Sequence, residues 1–345
     1  MSDRQAIIAK TAEWMHGWKT IKLDVAQTLE HSAEALAIMK KDGGALAKRT
    51  DYHYEETATG ERSLSVVFTL EDGAVQRTDH TFDGRKGTTL RYEKGRSDVP
   101  TSATIGKSFS NEGSNAGTDR PTPLKYQYVE KLPLYEALAK ARDMGEAEVD
   151  GQACDRFMFD DVVVGQTRQN LLYSIRRDGA VPVRIESFDG PDPTTARKLG
   201  TWEAQKVDVV QGRPIVVKST LTALDRDGNV RMTVHSEVGR VAFDEAIAKE
   251  TFRPVIAPGV EIHDTITGKV QTPPRKAAEA APRPPDVKGA DAVADPPRVA
   301  EAVGVAEQPV GWNSVATNAF LVLGGVLLIA GLALKLPTLF AKRPG

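Results

Sequence analysis

At 345 residues the chain is long enough for one large domain or two ordinary ones. Its 40% hydrophobic and 27% charged residues are those of a folded protein, and 45 basic against 47 acidic residues leave no basic excess for a nucleic acid. The single cysteine, Cys154, excludes an internal disulfide, so the fold must rest on its core.

The chain opens with MSDRQAIIAKTAEWMHGWKTIKLD. No uninterrupted apolar run of seven or more residues follows its charges at Asp3, Arg4, Lys10 and Glu13, so no export signal is expected there. Arg4 to Trp18 predicts an amphipathic helix, with Ile7, Trp14 and Trp18 on one face and Ile8 and Met15 beside them. Such a helix either closes a core or covers a ligand.

From Thr20 to about Gly95 the period changes to two. SLSVVFTLEDG places Leu64, Val66, Phe68 and Leu70 on one side of a half-buried strand that ends in an Asp-Gly turn. Turns at Asp83-Gly84 and Lys94-Gly95 continue the rhythm and predict an antiparallel meander. Asp98 to Pro123 is polar and predicts a surface loop. Gly106-Lys107-Ser108 is no phosphate-binding loop, because Thr101 stands where its first glycine belongs.

KLPLYEALAKARDMG predicts a second helix, with Leu134, Leu138 and Ala141 on one face and Gly145 past its end. Strands then resume and run to about Phe243, each bounded by Gly, Asp-Gly or Pro. The expected fold is mainly β: a strongly curved antiparallel sheet forming an incomplete barrel, covered by two helices. Cys154 reads as a small residue at a strand edge or as a reactive thiol. Asp160 and Asp161 are adjacent, so on a strand they face opposite ways and read as a strand end, not a catalytic dyad.

Residues 271–311 change character. Between Gln271 and Val310 lie eight prolines and ten alanines, and no aromatic residue. This composition predicts a disordered tether reaching ~35 Å as a coil and up to about 120 Å when polyproline-like. Val315 to Leu334 is uncharged, and 315–336 predicts a transmembrane helix of about 30 Å with Trp312 at its edge. Lys335, Lys342 and Arg343 lie on its C-terminal side, so the positive-inside rule leaves the short basic tail, 337–345, in the cytoplasm and the large domain outside. A terminal span with no leading signal argues for the reverse, and the charge bias is favoured. Thr317, Gly324 and Gly331 form a small-residue stripe that serves helix pairing or simply reflects the glycine content of membrane helices.

The six histidines are scattered and form no metal pair, and no nucleophile motif occurs. No cofactor and no catalysis are expected. Phe68, Phe82, Tyr92, Phe157, Phe159, Leu172, Tyr173, Ile185 and Trp202 supply a bulky apolar face. Packed tightly it is a core; closed incompletely it is a greasy cavity for acyl chains.

Four segments carry a family resemblance: GEAEVDGQACDRFMF (Gly145–Phe159), YSIRRDGAVPVRIESFD (Tyr173–Asp189), VDVVQGRPIVVKST (Val207–Thr220) and ETFRPVIAPGVEIHD (Glu250–Asp264). They resemble the LolA-like, outer-membrane lipoprotein-sorting family, in the variety found among envelope proteins of planctomycete-type bacteria. The resemblance spans about residues 4–270 and implies an open barrel, domain 1–270, with helices plugging its open side. It also implies a non-enzymatic role: binding a lipid or lipoprotein acyl chain, or sensing envelope stress beside another envelope protein. The predicted anchor departs from a soluble shuttle, leaving a tethered lipid binder or a solid-cored scaffold.

Overall fold

The computed structural model describes residues 4–41, 46–96, 98–107, 120–164, 167–178 and 181–273. The predicted span 315–336, the tail 337–345, most of the tether and residues 108–119 of the predicted loop lie outside the described residues. No helix among the described residues is long and apolar enough to cross a membrane.

Alternation of apolar and polar side chains builds two antiparallel meanders. The first runs through β1 (Thr20–His31), β2 (Ala47–Thr57), β3 (Arg62–Leu70), β4 (Val75–Phe82), β5 (Gly87–Tyr92) and β6 (Pro100–Gly106). A small hairpin, β7 (Tyr128–Val129) and β8 (Leu132–Pro133), follows apart from the main sheet. The second meander comprises β9 (Arg142–Val149), β10 (Gln152–Val164), β11 (Thr167–Arg176), β12 (Pro182–Phe188), β13 (Lys198–Val210), β14 (Arg213–Leu224) and β15 (Val230–Phe243). Its last strand, β15, pairs with the first strand of the other, β1, so both merge into one sheet. β16 (Glu261–Asp264) then returns to pair in parallel with β6, and β17 (Lys269–Gln271) forms the outer edge. The fifteen-stranded sheet is mainly antiparallel and does not close: β17 and β9 are its two ends.

One face is covered. Helix α1 (Arg4–His16) lays Ile7, Thr11 and Trp14 on it, and Trp18 follows just beyond. Helix α3 (Leu134–Leu138) adds Leu134, Ala137 and Leu138. Beneath them lie two core clusters: Ile7 and α3 pack on β10 to β13, while Trp14, Trp18 and Leu124 pack on β1 to β3.

The structure corrects three local expectations. Helix α3 has five residues, because Arg142 and Asp143 pair with Met158 and Phe157 and so belong to β9. Gly145 therefore sits inside that strand, at φ 80°, a conformation open to glycine. A helix unforeseen in the sequence, α2 (Ala33–Lys41), follows β1, with Ser32 capping its first turn through Oγ to the Ala35 N–H at 3.2 Å. Part of the expected polar loop, Pro100–Gly106, is strand β6, whose Ala103 is fully buried.

Asp160 and Asp161 occupy a bulge within β10, not its end. The register against β11 skips between Phe159 and Val162, and Asp161 has φ 57°. Asp160 pairs with Arg142 at 3.0 Å and Asp161 with Arg168 at 2.6 Å. Cys154 is fully buried in β10, between β9 and β11, and burial pushes its thiol pKa up.

Candidate functional site

Register decides which of the nine apolar side chains meet. Phe157 stands opposite Tyr173, Tyr173 opposite Ile185, and Ile185 opposite Trp202. These four make one row straight across β10, β11, β12 and β13, on the covered face. Phe159 lies two residues along β10 from Phe157 and meets Tyr173 edge-on, with ring centroids 5.0 Å apart. All five belong to one cluster with Ile7 and α3.

Phe68 and Phe82 share the covered face but lie in the other cluster, under Trp14 and Trp18. Leu172 and Tyr92 stand on the opposite face, contrary to the expectation of one shared face. Leu172 packs with Met158 and Phe188, as its adjacency to Tyr173 requires. Tyr92 packs with Leu90, Ala103, Val260 and Ile262, and its hydroxyl donates to Asp79 Oδ2 at 2.7 Å.

The cover is pinned at few points. In α1, Trp14 Nε1 donates to Pro214 O at 2.8 Å, Arg4 to Ala141 O at 2.9 Å and Lys10 to Arg177 O at 2.7 Å. None of these is a sheet-ladder bond. Apolar burial of Ile7, Trp14 and Trp18 contributes the rest, at most about 5–8 kcal/mol.

Between α3 and the first meander, residues 120–129 form the other half of the cover. A short 3-10 turn, Leu124–Gln127, drops Leu124 onto the Trp14 cluster and sets Tyr126 against Trp202, the rings tilted by 40° at a centroid separation of 4.3 Å. Arg120 anchors this segment. Its guanidinium grips buried Glu56 of β2 through Nε at 3.2 Å and Nη2 at 2.5 Å, and lies 4.1 Å from the Tyr128 ring centroid. Tyr54 Oη donates to the same carboxylate at 2.7 Å. Burial and the Glu56 charge hold the Tyr54 phenol well above its ordinary pKa, so it stays a donor. Such a pair orders the cover more than it stabilises it, because both charges are desolvated.

Where the two covers meet the row, a cavity of about 10 Å³ remains. Trp14 of α1 closes one side, and Pro123, Tyr126 and Gln127 of the cover segment another. Val181, Pro182, Trp202, Ile215 and Val216 form the sheet wall. It bridges the clusters, since Trp14 and Ile215 belong to one and Trp202, Val181 and Val216 to the other. Its size suits a single water. Two buried polar atoms on lining residues, Gln127 Oε1 and Trp202 Nε1, have no hydrogen-bond partner. Close by in sequence, burial pushes the Lys125 ammonium pKa down to about 8, with Nζ 4.8 Å from the Tyr126 ring centroid.

Solved structures similar to this fold include LolA-superfamily and DUF1329 proteins. One is a DUF1329 family protein from Desulfovibrio piger, 11% identical, covering 73% of this chain and 98% of its own, with a TM-score of 0.45. A LolA superfamily protein from Nitrosomonas europaea is 12% identical, covers 74% of this chain and 99% of its own, and has a TM-score of 0.42. An outer membrane lipoprotein-sorting protein domain from Vibrio parahaemolyticus is 10% identical, covers 72% and 94%, and has a TM-score of 0.45. No family model and no curated protein matches the sequence.

Trp202 was expected at the site, whereas Trp14 was expected only as part of a helix. Tyr126, Gln127, Ile215 and the Glu56–Arg120 pair had no sequence signal, because each acquires its role from partners far along the chain. No group of three or more potential metal ligands occurs among the described residues.

Proposed function

We propose that the domain is a non-enzymatic binder of an apolar ligand, a lipid or lipoprotein acyl chain, taken up between the covered sheet face and its cover for transfer or sensing. The observation that carries this reading is the cavity at the seam of the two core clusters, where a lightly pinned cover meets an apolar row. At about 10 Å³ the cavity is far smaller than an acyl chain. An acyl chain enters by displacing α1.

Magnitudes favour the exchange. Burying a sixteen-carbon chain contributes about 12 kcal/mol at ~0.8 kcal/mol per methylene, which exceeds the ~5–8 kcal/mol lost by uncovering Ile7, Trp14 and Trp18. Residues 315–336 would hold the domain at a membrane through the 271–311 tether, with the domain on the extracytoplasmic side and the tail 337–345 in the cytoplasm.

The full chain in lipid nanodiscs, exposed to a diazirine fatty acid and mapped by peptide, tests this. Label on α1 and β13 is expected. Label confined to residues 312–345 would instead favour the second reading, a solid-cored scaffold contacting another envelope protein, which the small cavity volume supports. Crosslinking in membranes should then yield a defined heteromeric product.

A further inference from the structure

We propose that Lys125 of the cover segment is the head-group site of the apolar ligand: its ammonium receives an anionic head, a carboxylate or a phosphate, whose tail enters the seam. This rests on the ligand-binding reading above and names the ligand's chemical class, an anionic amphiphile.

Lys125 belongs to the 3-10 turn Leu124–Gln127 and is half-buried. Its Nζ lies 4.8 Å from the Tyr126 ring centroid, and that ring lies 4.3 Å from Trp202, centroid to centroid. Both aromatic residues line the seam cavity. The two separations together are shorter than an extended ten-carbon chain, so a head held at Lys125 leaves its tail within reach of the row at Trp202.

Among the described residues no charged group offsets the burial of this ammonium, and burial alone pushes its pKa down to about 8. Most of it is still protonated at pH 7. The contact with Tyr126 is cation–π, which holds the ammonium at the ring and cancels no charge. Arg120 of the same segment is the contrast, because buried Glu56 neutralises it. Buried charges in folded proteins are as a rule paired, so a cation left uncompensated beside an apolar wall points to a negative charge brought by a ligand.

The surroundings suit an anion. No acidic residue lines the cavity to repel one. Burial holds the Tyr126 phenol well above its ordinary pKa, so it stays protonated and carries a second donor next to Lys125 in the chain. A cationic head, by contrast, would add its charge to that of Lys125 with nothing on the lining to balance either.

The test uses the full chain in phosphatidylcholine nanodiscs at pH 7, photolabelled with a diazirine analogue of 1-decanol and mapped by peptide. Decanoate, decyl phosphate and 1-decanol compete for the label, each compared between wild type and variant so that partition into lipid cancels. In Lys125→Met at least one anion should need roughly tenfold more to displace label from the peptides holding Trp14 and Trp202, while 1-decanol changes less than about twofold. The anion that loses more identifies the head as carboxylate or phosphate. Lys125→Arg, which keeps the charge, should hold that anion within about threefold of wild type. Unchanged potency of both anions in Lys125→Met overturns the head-group site and leaves the ligand-binding reading standing. So does a loss shared equally by 1-decanol, the sign of a merely structural side chain, or a loss in Lys125→Arg as large as in Lys125→Met. Absence of displaceable label on those peptides of the wild-type chain overturns both.

Discussion

His80 shows how much one side chain on the covered face can weigh. It stands between Leu64 of β3 and Thr89 of β5, with Nδ1 and Thr89 Oγ1 3.0 Å apart. Burial, and then the Arg91 charge, pushes its pKa down to about 4. The unfolded chain, titrating near 6.5, takes up its proton first as the pH falls. Stability is therefore intact above pH ~7, declines as the pH drops toward 4, and changes no further from this group below that. His80 is half-buried, which sets the loss at about 1–3 kcal/mol. Urea unfolding at pH 7 and pH 4.5 should show the wild-type protein losing that much more than His80→Gln; equal losses would remove His80 as the cause. Residue-scale chemistry of this kind was partly legible in the sequence. Adjacency alone separates Leu172 from Tyr173, since neighbours on a strand face opposite ways. The meeting of Tyr126 with Trp202, or of Glu56 with Arg120, depends on pairings 76 and 64 positions apart, which no local pattern encodes.

At the scale of elements, strands were the most readable where only one face is covered. In β3 the buried residues are Leu64, Val66, Phe68 and Leu70, the alternation visible in SLSVVFTL. Helix α2 was missed because nine helix-prone residues lie inside a stretch dominated by period two. Helix α3 was overdrawn because ladder pairing with β10 outcompetes the helical preference of its last residues. Helix α1 was foreseen, and its mode of attachment is the functional point. It contributes three tightly buried side chains and a few hydrogen bonds, whereas β1 is paired with both β2 and β15. Opening α1 alone should therefore need far less free energy than opening β1. Hydrogen exchange should show α1 amides opening at about 5–8 kcal/mol, below the value for β1 and β15. Identical opening energies for helix and sheet would mean that the cover moves only with global unfolding, which favours the solid-cored scaffold.

For the whole molecule, the joining of two meanders by their first and last strands means that the sheet completes only when β15 reaches β1, more than two hundred residues away. Such long-range pairing makes folding slow compared with a helical protein of similar size. The mainly β class followed directly from the regular turns, but the merger of both halves into one sheet did not, because strand order is a tertiary outcome. Topology relative to the membrane is tested at this scale too. A reporter fused after Gly345 that is active only in the cytoplasm should be active, and protease added from outside should cut the domain. Activity of an extracytoplasmic reporter at the same position would reverse the orientation proposed here.

The parallel return of β16 to β6 has a mechanical meaning. Any load carried by the chain beyond Gln271 enters the fold through β17, which is three residues long and exposed throughout. The bond from the Gly259 N–H to Pro273 O parts first, and then the rungs to β16: Gln271 from Ile262, Val270 from His263, Lys269 from Asp264. Only then does tension reach Val260 and Ile262, which seal the outer cluster with Leu90, Tyr92 and Ala103. A pull on the chain at that end is thus absorbed by a sacrificial edge, far in strand order from the row at Trp202.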